Sequence, residues 1–83
     1  MAENYIHIYT SYLSDLYADR RLTFAQTYDL LRFFETEARQ IASREQLIKF
    51  LDKYLLPFPQ LVELKRRLTD ETFVFPEPPA ESD

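Results

Sequence analysis

The chain has no glycine among its 83 residues, where average usage of about 7% would place roughly six. Cysteine and tryptophan are also missing. Without cysteine there is no disulfide scaffold, no zinc–thiolate centre and no thiol nucleophile. Without glycine the phosphate-cradling loops are excluded, because their backbone must approach the nucleotide with no Cβ in the way. No apolar run approaches the roughly 18 residues of a membrane span. Nor does the N-terminus carry the basic segment and uninterrupted apolar stretch of a signal peptide. The expectation is a cytoplasmic protein without membrane contact, and the lack of cysteine is compatible with a reducing compartment.

What is present points to a folded domain. Hydrophobic residues make up 46% of the chain and aromatics 16%, as six Tyr and seven Phe. That lies outside the regime of low hydrophobicity and high charge that keeps a chain unfolded. Area scaling at this mass buries about 64% of the unfolded surface, a small core, so self-association or a partner protein is expected to add to it. The charge is uneven. Formal net charge is −4, yet residues 1–69 hold ten bases and nine acids, while residues 70–83 hold five acids and no base. A near-neutral domain, 1–69, is therefore followed by an acidic tail, 70–83, that also contains three of the five prolines.

The absence of glycine removes the easiest hairpin and helix-stop residue, which favours helices over a strand meander. Hydrophobic spacing agrees. At about 100° per residue, Tyr5, Tyr9, Tyr12 and Leu16 fall within about 60° of one another, and Ile6, Ile8, Leu13 and Tyr17 widen that arc to about 180°. This predicts a first helix over 3–18. Thr23 and Gln26 have capping-box spacing and open a second helix over about 24–42, with a stripe of Phe24, Leu31, Phe34, Ala38 and Ala42, flanked by Tyr28 and Ile41. Ser43 and Gln46 repeat that spacing. One continuous helix over 24–56 is the rival, but Leu47, Leu51, Tyr54 and Leu55 would then lie roughly 140° from the first stripe. A break near Ser43 and a third helix over 44–56 put both stripes into one core. Pro57 and Pro59 end the third helix and start a short fourth over about 59–69, with Leu61, Leu64 and Leu68 on one side. The expected fold is all-α, a small up-and-down bundle of three main helices and a short fourth. An extended Pro-rich tail follows it, with polyproline II geometry expected from Pro76 to Pro79.

Few residues offer chemistry. His7 is the only histidine and has no second ligand or nucleophile placed to work with it. The adjacent carboxylates imply no cleft, so no catalytic, metal or cofactor site is expected, and no enzymatic activity. The basic clusters Arg20–Arg21 and Lys65–Arg66–Arg67 would bind nucleic acid only if they converged on one face. The more informative feature is apolar surplus. Helix one carries an arc nearly twice the width a core needs, and it is rich in tyrosine, which interfaces favour. Phe33 lies far from the centre of its helix's stripe, and the Phe73–Val74–Phe75 triplet has no helix to bury it. Tyr5, Tyr9, Tyr12, Phe33, Phe73 and Phe75 are accordingly the candidate partner-binding residues. The expected function is a non-enzymatic adaptor, accessory subunit or inhibitor that binds a protein partner or a second copy. The alternatives are an acidic decoy for a nucleic-acid-binding protein, or weak nucleic-acid binding through the five named cations. No motif of a known family emerges.

Overall fold

Thr23 shows how local chemistry sets the element boundaries in this chain, for which a computed structural model describes residues 3–76. Its hydroxyl accepts the Gln26 N–H at 3.1 Å, and the Gln26 carboxamide accepts the Thr23 N–H at 3.0 Å. Both halves of the capping box are made, and a helix starts at Phe24. Ser43 works the same way with one change. Its hydroxyl accepts the Gln46 N–H at 3.2 Å, but the Gln46 carboxamide accepts from Ala42 N–H instead, at 2.6 Å. Asn4 caps the first helix by accepting the His7 N–H at 2.9 Å. Each cap satisfies a donor that the first turn leaves without an intrahelical partner.

The elements are α1 (Tyr5–Ala18), α2 (Phe24–Glu37), α3 (Arg44–Asp52), a 3-10 turn (Pro59–Leu61) and α4 (Val62–Thr69). The protein is all-α, with no strand among the described residues. The second and third helices are separate, as their opposed stripes require. The break is wider than the spacing of Ser43 alone implied: α2 stops at Glu37 and residues 38–43 are non-helical. The third helix is also shorter than 44–56. Beyond Asp52 the amides of Lys53 and Tyr54 reach the carbonyls of Phe50 and Leu51, three residues back. This tightening leads to Leu56, whose position before Pro57 disfavours helical geometry.

The end of α1 shows what a chain without glycine must do. The Arg21 N–H bonds the Leu16 carbonyl at 2.8 Å and the Arg20 N–H bonds the Tyr17 carbonyl at 3.1 Å. This is the Schellman arrangement, which needs a left-handed residue just past the cap. Arg20 takes that role at φ 62, where glycine would normally sit.

One core holds the helices together. Its fully enclosed members include Tyr9, Leu13, Leu30, Leu47, Leu51, Leu61, Leu64 and Leu68, drawn from all four α-helices and the 3-10 turn. The side chain of α2 that reaches its centre is Leu30, which the Phe24–Leu31 stripe did not include. The true inward face, Leu30 with Phe34, is turned roughly 70° from that stripe at ideal helical spacing. Phe24 is consequently 71% exposed and Leu31 37% exposed, while Leu30 is at 0%.

Two outcomes follow. Arg20→Gly is expected to stabilise the fold by about 0.5–1 kcal/mol by relieving the left-handed backbone, read as a higher urea midpoint at unchanged slope. An unchanged or lower midpoint counts against this account. Leu30→Ala is expected to cost about 2–4 kcal/mol and Phe24→Ala less than about 0.5 kcal/mol. Equal losses at the two positions would mean that the orientation of α2 is wrong.

Candidate protein-interaction face

The six residues singled out by pattern are placed very differently from one another. Tyr9 is fully buried and Tyr12 is 8% exposed. The tyrosine face of α1 is therefore core rather than docking surface. The physical reason is that each phenol finds a partner inside. The Tyr9 hydroxyl donates to the Leu30 carbonyl at 2.8 Å, and the Tyr12 hydroxyl donates to the Gln60 carbonyl at 2.8 Å. A tyrosine that satisfies its hydroxyl can be buried like a phenylalanine. Burial pushes the phenol of Tyr9 well above its ordinary value, with a smaller push from Tyr54.

Tyr5 is half-buried and donates to Glu3 at 3.1 Å. Phe33, expected outside, is packed against the core instead, with its ring stacked on Tyr54 at 4.8 Å and 3°. The Tyr54 hydroxyl donates to Glu37. Burial and that carboxylate together raise the Tyr54 phenol to about 12.

Phe73 and Phe75 lie on one side of the chain, with rings 4.8 Å apart, and both are half-buried. The segment is held by Arg44 at the start of α3. Its guanidinium donates to the Asp70 carbonyl at 2.9 Å and the Phe73 carbonyl at 2.7 Å, and pairs with Glu3 at 2.7 Å. It also lies 5.0 Å from the centre of the Phe75 ring. Its hydrogen bonds hold the Glu3 carboxyl below its ordinary range, against a smaller opposing effect of burial. The beginning of the acidic tail thus folds back on the helices, leaving Val74 84% exposed between the two rings. Most of the segment expected to adopt polyproline II, including Pro78 and Pro79, lies outside the described residues.

Of the five cations in the two basic clusters, the three on α4 are paired. Lys65 meets Asp52 at 2.7 Å, and Arg66 and Arg67 both meet Glu63 at 2.5 and 3.3 Å. The hydrogen bond from Arg66 is the main reason the Glu63 carboxyl drops to about 2. Arg21 and Arg67 share one concavity, but Asp15, Asp19 and Glu63 line it too. Mixed charge of this kind makes a poor phosphate track. A second cavity, about 480 Å³, lies between α1, α4 and residues 73–76 and includes His7, Ser11 and Arg67. The Ser11 hydroxyl contacts the His7 ring at 3.3 Å. No carboxylate bonds that imidazole among the described residues, so no relay is assembled. No group of three His, Cys, Asp or Glu suited to a metal occurs among them either. No described helix is long and apolar enough to cross a membrane.

Besides Ile6, Leu56, Val62 and Val74, the exposed large apolar side chains lie on a face that pattern assigned to the core. Phe24 is 71% exposed, Tyr28 54%, Tyr17 48% and Leu31 37%. The three rings form a continuous row. Tyr17 meets Phe24 edge-on at 6.5 Å, and Phe24 lies near-parallel to Tyr28 at 6.5 Å. Phe24, Tyr28 and Leu31 have the i, i+4, i+7 spacing of a single helical edge. The Arg32 guanidinium sits 5.9 Å from the Tyr28 ring centre at the margin of the row. α2 thus carries two apolar sides, one packed inward through Leu30 and Phe34 and one turned to solvent. The signal in the sequence is an apolar arc on α2 that is wider than one core stripe, since Leu30 falls outside the Phe24–Leu31 side.

No protein-family model matches the chain, and no curated protein or solved structure shows significant similarity to it.

The buried tyrosines give a pH prediction. A phenol whose folded pKa lies above its unfolded value near 10.0 stabilises fully below that value and loses its contribution as pH rises past it. Urea midpoints are expected to start falling near pH 10 and to go on falling above it, towards the raised folded values. Tyr9→Phe is expected to lose about 1 kcal/mol at pH 7 with its hydrogen bond and to show a shallower alkaline fall. An equally steep fall in the variant would exclude Tyr9 as a source.

Proposed function

We propose that this chain is a non-enzymatic protein-interaction module that docks through the outward edge of α2. The observation that carries the proposal is the continuous solvent-facing row of Tyr17, Phe24 and Tyr28, extended by Leu31. Three large aromatics of about 200 Å² each, exposed as above, together present roughly 350 Å². That is the size of the largest apolar patch on an ordinary monomer, and such patches are often functional. Isolated exposed apolar residues need no explanation, but a contacting row along one helix edge does. Tyrosine and phenylalanine are also the residues that interfaces concentrate, because they lose little conformational entropy when they become fixed.

The same module was expected from sequence, with a different surface. Burial of Tyr9 and Tyr12 moves the docking face from α1 to α2, and Tyr17 is the one α1 tyrosine that joins it. The pairing of Lys65, Arg66 and Arg67 with acids weighs against a nucleic-acid role.

A photo-crosslinking phenylalanine analogue at position 28, in cells that produce the protein, tests the proposal. Specific adducts are expected at 28 and at 24, and none when the analogue replaces Glu45, which is exposed on α3. No adduct at 24 and 28, or the same labelling at 45, would overturn it.

A further inference from the structure

We infer that the groove between α1 and α4 is a docking site for an extended aromatic-x-aromatic segment of another protein, and that the chain keeps it occupied with its own residues 73–75. This surface is separate from the outward edge of α2, and the inference does not depend on the reading of that edge. Three observations lead to it.

The first is the form of the resident segment. Phe73 and Phe75 lie on one side of the chain with rings 4.8 Å apart, while Val74 between them is 84% exposed. That alternation is the pattern of an extended chain laid on a surface. Among the described residues, no backbone amide of 71–76 bonds a helix. The Phe73 amide reaches the Asp70 carbonyl and the Thr72 amide reaches the Asp70 carboxylate, both within the segment. The segment is thus held by side chains, as many peptide ligands are, with no backbone ladder to the helices.

The second is what holds it. The Arg44 guanidinium donates to the Asp70 and Phe73 carbonyls at 2.9 and 2.7 Å. Every peptide has carbonyls, so this contact accepts any extended segment in the same register. The rings supply the selectivity. Arg44 lies 5.0 Å from the centre of the Phe75 ring, and Arg67 lies 5.5 Å from that of Phe73. Each ring position has its own guanidinium, which attracts an aromatic face and gains less from an aliphatic side chain.

The third is fit. Both rings are only half-buried, and a cavity of about 480 Å³ is left between them and the two helices, with Ile8, Tyr12 and Leu64 in its lining. The resident fills its groove incompletely, and a segment held by so few contacts belongs to the low end of local stability. A bulkier aromatic segment can use the space that the resident leaves empty. A second copy of this chain offers only the same segment, without the tether that gives the resident an effective concentration on the order of millimolar. The occupant is therefore a different protein.

A ¹H–¹⁵N NMR titration tests this. The probe is an unlabelled synthetic peptide of residues 70–76. The host is the full chain carrying Phe73→Ser and Phe75→Ser, which vacates the groove. Binding is expected with a dissociation constant of about 1 mM or tighter, and with shifts centred on the amides of Ile8, Tyr12, Arg44, Leu64 and Arg67. The wild-type chain is expected to bind at least about tenfold more weakly, because its own segment competes. A peptide with leucine at both phenylalanine positions is expected to bind the vacated chain about tenfold more weakly. Adding Arg44→Ala to the vacated chain is expected to weaken binding about tenfold as well. If the double serine variant loses its helical circular dichroism, Phe75→Ser alone serves as host. Failure of both to fold would make the segment part of the core and overturn the inference. So would a folded, vacated chain that shows no shifts, equal binding by the wild type, or equal affinity of the leucine peptide. Crosslinking at positions 24 and 28 reports on the other face, so either proposal can fail without the other.

Discussion

The fold depends on one buried phenol. Tyr9 stacks on Phe34 at 4.4 Å and meets Phe50 edge-on at 5.6 Å, so a single ring touches α2 and α3 from α1. Phe34 and Phe50 close the triangle at 5.5 Å and 87°. The hydroxyl then reaches past the rings to the Leu30 carbonyl. Stacked and edge-on contacts between the same three rings are attractive in those geometries and poor in most others. The ring contacts set the separation of the helices. The directional hydrogen bond sets how α2 is turned about its own axis. Once Leu30 and Phe34 face Tyr9, Phe24 and Tyr28 have nowhere to point but outward.

That rotation decides which apolar side of α2 meets solvent. α2 has more apolar surface than one core of this size can cover, and something must remain outside. A small domain also gains more from covering such a surface than a large one does, because its own burial is limited. The exposed row is thus the residue of a conflict between two apolar sides of one helix. The side that can satisfy a tyrosine hydroxyl goes in. The side left out keeps Phe24 and Tyr28 in a row with Tyr17 of α1.

The C-terminal segment resolves a second conflict. Phe73 and Phe75 are too apolar to leave in water, and no helix carries them. Arg44 meets this need. Its fork neutralises Glu3, satisfies two carbonyls of residues 70–73 and covers an aromatic face. Arg67 lies 5.5 Å from the Phe73 ring centre and 5.6 Å from that of Tyr12, joining the same segment to α1. Planar guanidinium groups can pair and stack at once, which an ammonium cannot. The beginning of an acidic tail is in this way drawn onto the helices by two arginines.

The residues that act on their near neighbours could be read from the sequence alone. Thr23 with Gln26 and Ser43 with Gln46 marked two helix starts, Pro59 marked a restart, although α3 stops at Asp52, ahead of the end expected before Pro57, and the lack of glycine signalled a helical chain whose helix stops would use other residues. All of these are local, because capping and proline geometry depend on residues a few positions apart. The stripe on α2 was not legible in this way. Phe24, Leu31 and Phe34 satisfy helical periodicity as well as Leu30 and Phe34 do, and periodicity cannot choose between two apolar sides of one helix. Only the tertiary structure decided that, through contacts between Tyr9, Leu30, Phe34 and Phe50 that lie up to 41 residues apart. The same contacts buried Tyr9 and left Phe24 and Tyr28 of α2 exposed, because one ring and one hydroxyl can face only one side of a neighbouring helix.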